Sequence, residues 1–185
     1  INLDHLREKV KELSAADVRA DPRWAFAPIV CGRKREVAAI TRVQARRFAA
    51  AHGQVVLRWR ADLDTEFRDC LGLSETQLTE LYESEDQLWN YFVRDAPGHL
   101  TENISPLCQL ANGTPCTYRS LSFGSREDEE HVAALLRDAR PGAEVEVPAP
   151  LSVNVRVRRP LSAHWRDDLT IEPGSVVIPV LTSSR

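Results

Sequence analysis

The 185-residue sequence contains no methionine and opens on Ile1. A translation product with its initiator in place cannot read this way, so a processed chain or, more simply, a piece of a longer protein is expected. Also absent is any apolar run near 18 residues, the length an ordinary membrane-spanning helix needs. The opening INLDHLREKVKEL mixes charge with Leu and Val at helical spacing and does not look like a signal peptide. Cysteine is sparse. Cys31, Cys70, Cys108 and Cys116 form no CxxC pair, which suits reduced thiols of an intracellular protein better than a disulfide framework. His5, His52, His99, His131 and His164 are scattered without ligand spacing to cysteine, so no zinc site is expected. None of the eight glycines is followed by Lys, which excludes a phosphate loop of the GxxxxGK[ST] kind. No nucleophile elbow or Cys–His pairing is recognisable. The expected catalytic and metal sets are therefore both empty.

What is present is ordinary for a globular chain: 43% hydrophobic, 28% charged, with a net charge of −3. That balance argues against a globally basic nucleic-acid binder but leaves local stripes open. Leu3, Leu6, Val10 and Leu13 predict an amphipathic helix over 2–13. Ser14 and Asp17 form a capping signature. WAFAPIV (24–30) reads as a buried strand. The segment 32–53 reads as a helix stopped by Gly53, with Val37, Ile40, Phe48 and Ala51 on one face. QVVLRWR (54–60) reads as a second strand, giving a βαβ unit with parallel strands. Residues 61–95 look helical, including DTEFRDCLGL, a helix capped by Ser74 and Gln77, and a segment carrying Leu88, Tyr91 and Phe92. After residue 97 short strands and turns dominate. The exception is a helix over 126–140, capped by Ser125 with Asp128, with Val132, Leu135, Leu136 and Ala139 as its buried stripe. LSVNVRVRR (151–159) alternates as a half-buried strand, and SVVIPVL (175–181) is a strand whose Pro179 favours an edge.

Few residues offer chemistry. EDEEH (127–131) imitates a magnesium-binding acidic box, but acidic residues also favour the positive end of a helix. On the 35–51 helix, Arg35, Arg42 and Arg46 fall on one face, opposite Val37 and Phe48 at 100° per residue. The strand at 151–159 places Asn154, Arg156 and Arg158 on one face. Arginine is well suited to phosphate contact. Spacing alone is equally satisfied by solvated faces. Asn112-Gly113 suits a type I′ hairpin turn.

Three stretches resemble the second RecA-like half of a PIF-family ATP-dependent DNA helicase, in the form common in Helitron-type elements and oomycete genomes. LSAADVRADPRWAFAPIVCGRKREVAAITRVQARRFAAAHGQVVLRWR (13–60) resembles the strand–helix–strand around motif IV. GHLTENISPLCQLANGTPCTYRSL (98–121) resembles the block that enters a small β-barrel insert. PLSVNVRV and SVVIPVLTSSR, within 150–185, resemble the way back out. In GRKRE (32–36) the chain departs from relatives, with Arg33 where they carry Asn and Arg35-Glu36 in reversed order.

The resemblance implies an α/β fold: an incomplete RecA-like lobe with a parallel sheet over 1–97, a β-rich insert with one helix over 98–175, and a strand returning toward the lobe over 176–185. It implies 5′-to-3′ unwinding by the intact parent, with ATP and Mg2+ held by parts this chain lacks, so that the fragment alone binds neither. Arg33 and Arg35 become nucleotide-cleft candidates. Arg42, Arg46, Asn154, Arg156 and Arg158 become nucleic-acid candidates. The implied partners are single-stranded DNA and the parent's first lobe, with no membrane, in the nucleus. The alternative is a non-enzymatic nucleic-acid- or protein-binding module derived from a degraded mobile-element helicase.

Overall fold

Ser14 and Ser74 show how local chemistry sets the helices. Each hydroxyl accepts the backbone N–H three residues on, and that residue's side chain accepts the serine's own N–H, so two orphan donors are satisfied at each start. In the computed structural model, residues 14–21, 24–27, 29, 31–63, 72–105, 110–157, 171–172 and 175–182 are described. The helix expected over 2–13, the one over 64–70 and Arg158 lie outside them. The chain divides into two compact units, 1–32 and 33–185.

The first unit carries helix α1 (Ala15–Ala20) and a turn in which Trp24 N–H bonds the Asp21 carbonyl at 3.1 Å. The strand expected at 24–30 is not formed at the described residues 24–27 and 29. Pro28 offers a physical reason, since a proline carries no N–H to donate to a ladder.

The second unit begins with α2 (Lys34–Ala51). It ends as the sequence predicts. Gly53 takes φ of 65°, Gln54 N–H bonds the Ala49 carbonyl at 2.8 Å, and Gly53 N–H bonds that of Ala50 at 3.4 Å. This is a Schellman closure that a glycine permits without Cβ strain. Then follow β1 (Val56–Arg60), α3 (Glu75–Ser84), a single 3₁₀ turn (Asp86–Leu88), β2 (Trp89–Phe92), β3 (Pro97–His99), β4 (Pro115–Ser122), α4 (Arg126–Asp138), β5 (Glu144–Glu146), β6 (Ser152–Val157), β7 (Ile171–Glu172) and β8 (Ser175–Leu181).

Two sheets result, so the fold is mixed α/β. One is three-stranded in the order β2-β1-β5, with β1 antiparallel to β2 and parallel to β5. The other is antiparallel throughout, in the order β3-β4-β6-β8-β7. Three expectations change. Residues 89–92 form a strand rather than part of a helix, in keeping with the β-propensity of Trp, Tyr and Phe. The parallel partner of 56–60 is β5, about ninety residues downstream in register, and not 24–30. The final strand β8 stays in the antiparallel sheet, between β6 and β7, rather than leaving it.

The cores explain why these sheets form. Leu57, Trp59, Phe92, Val132 and Val147 bury one face of the first sheet, with Val132 supplied by α4. Leu100, Leu110, Cys116, Val155, Val157 and Ile178 fill the second. Tyr118 and Val153 pack against both clusters, and the Tyr118 ring meets Phe92 edge-on at 5.7 Å. The two sheets therefore share one apolar layer. β5, expected within the insert, instead pairs with β1 in the first sheet, and α4 supplies Val132 to its apolar cluster.

Candidate nucleic-acid interface

The other face of the first sheet is charged, and this decides what the α2 arginines do. Register places Arg58 opposite Tyr91 and Arg60 opposite Trp89 on β2, and Arg58 beside Glu146 on β5. Glu144 lies next along the same face. α2 packs against β1, β2 and the 3₁₀ turn and buries Phe48 and Ala49. Arg42 therefore points at the sheet. Its Nε and Nη2 donate to the two Glu144 carboxylate oxygens at 3.0 Å each, and its Nη1 donates to Asp86 at 2.8 Å. Arg46 lies 3.3 Å and Arg58 3.5 Å from Glu144, while Arg58 and Arg60 lie 3.7 and 3.2 Å from Glu146. The Arg58 guanidinium also sits 4.0 Å over the Trp89 ring.

Glu144 is the hub, with a side chain only 10% exposed. Burial alone would raise its pKa. The Arg42 hydrogen bonds and the charges of Arg42, Arg46 and Arg58 outweigh burial and hold the carboxyl below its usual range. Arg42 is shifted upward, chiefly by the Glu144 bonds, so it stays charged. Burial pushes the Tyr91 hydroxyl up. Tyr91 Oη, Gln44 Oε1 and Arg58 Nε are buried without a hydrogen-bond partner among the described residues. In sequence, AEVEVP (143–148) alternates Glu with Val while VLRWR (56–60) alternates Arg with apolar residues. Complementary charge on two alternating strands was the signal that could have exposed Glu144 and Glu146.

The nucleotide-cleft candidates are placed differently. Arg33 is the N-cap of α2 and makes no side-chain cap bond there, and Arg35 is 78% exposed with Glu85 no closer than 4.0 Å. Both lie at the helix end whose dipole disfavours cations.

The outer face of β6 is polar and hydroxyl-lined. Asn154 Nδ2 donates to Ser120 Oγ and Ser122 Oγ at 2.9 Å each. Arg156 is half-buried and stands opposite Thr117 on β4 and Val177 on β8. A bulge between Tyr118 and Ser120 turns Arg119 to Asp95, at 2.8 Å, and Asp95 itself takes φ of 61°.

Within the block at 98–121, the described residues 100–105 and 110–114 are hydrogen-bonded to each other. Leu100 and Leu110 are buried, Leu100 N–H bonds the Thr114 carbonyl at 2.9 Å, and Asn112 N–H bonds Asn103 Oδ1 at 3.0 Å. LTENI and LANGT are thus held against each other. The turn is not type I′, because Gly113 has φ of 85° and Asn112 is not among the positive-φ residues. With Thr114 N–H bonded to the Ala111 carbonyl at 3.0 Å, this is a type II turn.

The acidic box is occupied locally. Ser125 Oγ donates to Asp128 at 2.7 Å, and Arg126 pairs with Glu130 at 2.8 Å. Among the described residues no cluster of three His, Cys, Asp or Glu could hold a metal ion, and no helix is long and apolar enough to cross a membrane. Burial raises the Cys116 thiol, which lowers its thiolate fraction. The chain matches no family model, no curated protein and no solved structure.

Proposed function

We propose that this chain is part of the second lobe of a PIF-family ATP-dependent DNA helicase and contributes single-strand contacts from the outer face of its antiparallel sheet. The observation that carries the reading is the joined block at 98–121. Two short words, each weak alone, are joined by a hydrogen bond between Asn112 and Asn103 and lead directly into β4, which is compatible with entry into a small β-rich insert. The α2 helix over the three-stranded sheet, with its β1–β5 parallel pair, supports an incomplete RecA-like lobe. The exposed Arg33 and Arg35 at the N-terminal end of α2 suit a nucleotide phosphate brought by the parent's first lobe. Without a phosphate loop the chain alone has no lysine for the β/γ-phosphates and no ATPase activity of its own.

Arg156 stands opposite Thr117 on the strand that carries Asn154, whose amide bonds the hydroxyls of Ser120 and Ser122; these residue types suit a phosphate backbone, and the sequence alternation assigns Arg158 to the same face. Arg42 and Arg46 are committed to Glu144. The test is fluorescence anisotropy with labelled oligo-dT and a mixed-sequence strand across a salt series. Binding should be weak, independent of sequence and weakened by salt. Arg156→Ala and Arg158→Ala should each flatten the log–log slope by about 0.7, and Arg42→Ala should leave it unchanged. Absence of binding at low salt, or binding indifferent to salt, defeats the proposal.

A further inference from the structure

Asn-Gly is the sequence most prone to deamidation, because glycine offers no side chain to hinder attack by its own nitrogen. The backbone nitrogen of Gly113 can bond to Asn112 Cγ after losing its proton to hydroxide. The Cγ–Nδ2 bond then breaks, ammonia leaves and a five-membered succinimide remains. Water opens that ring at either carbonyl, giving aspartate or isoaspartate. No electrons are transferred, and solvent supplies both hydroxide and water.

Asn112 and Gly113 are both exposed, so solvent reaches the site. The nucleophile is nevertheless occupied. Gly113 N–H donates to the Leu100 carbonyl at 2.8 Å, and Leu100 is itself buried in the core. The preceding peptide is pinned as well, since Asn112 N–H donates to Asn103 Oδ1 at 3.0 Å and Ala111 N–H to Thr114 Oγ1 at 3.1 Å. Thr114, whose N–H closes the turn on the Ala111 carbonyl, is buried. Ring closure requires the Gly113 nitrogen to leave Leu100 and its peptide plane to rotate against these bonds.

From this geometry we infer that Asn112 is a latent deamidation site, held shut by the hydrogen bonds that Leu100, Asn103 and Thr114 make to the 111–113 turn and released when those bonds open. The modification places a carboxylate beside Asn103 and, in the isoaspartyl product, adds a methylene to the main chain of the turn. Either product marks a molecule whose loop has opened, because the reaction does not run backward to Asn.

The test follows modification at Asn112 by peptide mass spectrometry, with isoaspartate resolved chromatographically. The whole chain is incubated at neutral pH in native buffer and in concentrated urea, and amide hydrogen exchange at Gly113 is measured in native buffer. Deamidation should be more than about tenfold slower in the folded chain, and the Gly113 amide should be protected by a similar factor. Asn103→Ala, which frees Asn112 N–H, should accelerate the native reaction while circular dichroism confirms a folded chain. If that variant unfolds, the Gly113 exchange measurement on the unaltered chain decides. Equal rates in buffer and urea, an unprotected Gly113 amide, or an inert Asn112 in urea would each overturn the inference.

Discussion

Replacing Glu144 with Gln tests whether the arginine cluster holds α2 to the sheet. The carboxylate takes two Arg42 bonds of 3.0 Å and faces Arg46 at 3.3 Å and Arg58 at 3.5 Å. Exposed ion pairs contribute about 0–1 kcal/mol. Breaking a fully buried pair by removing one partner costs about 3–5 kcal/mol. This cluster lies between those limits, because Glu144 is nearly buried whereas Arg42 is 33% exposed. Arg42 also keeps Asp86 at 2.8 Å, and Gln retains one acceptor oxygen. The expected loss is therefore about 2 kcal/mol, within the range for hydrogen bonds to charged groups.

Urea unfolding followed by the fluorescence of buried Trp59 and Trp89 reads this directly. With a slope near 2 kcal/mol/M, the midpoint should fall by about 1 M. Glu146→Gln is the internal control: its more exposed carboxylate should cost less than about 0.5 kcal/mol. A Glu144→Gln midpoint indistinguishable from the parent, or equal losses for Glu144 and Glu146, would refute the claim that burial makes this pair matter.

Other outcomes follow from the same geometry. The folded Glu144 pKa lies below its ordinary value of 4.5, so its contribution is complete above that value and is lost as pH falls through the lowered one. A series of urea midpoints down to acid pH should show this loss, and Glu144→Gln should flatten it. Ser74→Ala removes a reciprocal cap and should cost about 1 kcal/mol in urea unfolding. Gly142→Ala should cost roughly 1–2 kcal/mol by the same assay, since φ is 78° and the new Cβ would lie 3.2 Å from Ala50 Cβ.

The parts of the fold legible in sequence are those whose causes lie within a few residues. Ser14 with Asp17, Ser74 with Gln77, and Gly53 after an alanine-rich helix each declare a terminus through bonds spanning three to five positions. The alternation of Val153, Val155 and Val157 declares a strand with one buried face, and the burial follows it: Val155 and Val157 are buried and Val153 packs against both clusters. What was hidden depended on distant partners. Nothing local says that 56–60 pairs with 144–146, or that WNYF will close the opposite edge. The α2 stripe holds at buried Phe48 but not at Val37, for the same reason. Val37 is exposed, whereas Arg42 turns inward, because the surface beneath α2 carries Glu144. A helix buries whichever face complements its partner, and here that partner is partly acidic.

That placement also moves the candidate interface from helix to strand. A guanidinium recognises phosphate through the same planar fork with which it recognises carboxylate. Arg42 already presents that fork to Glu144, and its remaining nitrogen to Asp86. Contact with a DNA phosphate would exchange one charge-assisted pair for another and leave a nearly buried carboxylate unpaired, so the exchange brings little net attraction. The cluster as a whole sets four arginines against three carboxylates, which cancels most of the basic stripe seen in sequence. The outer face of β6 carries other residue types. Arg156 stands there opposite Thr117, on the strand whose Asn154 bonds Ser120 and Ser122, and these are residue types that bond phosphate oxygens. If single-stranded DNA binds this chain, its salt dependence should therefore follow the strand arginines and be blind to Arg42.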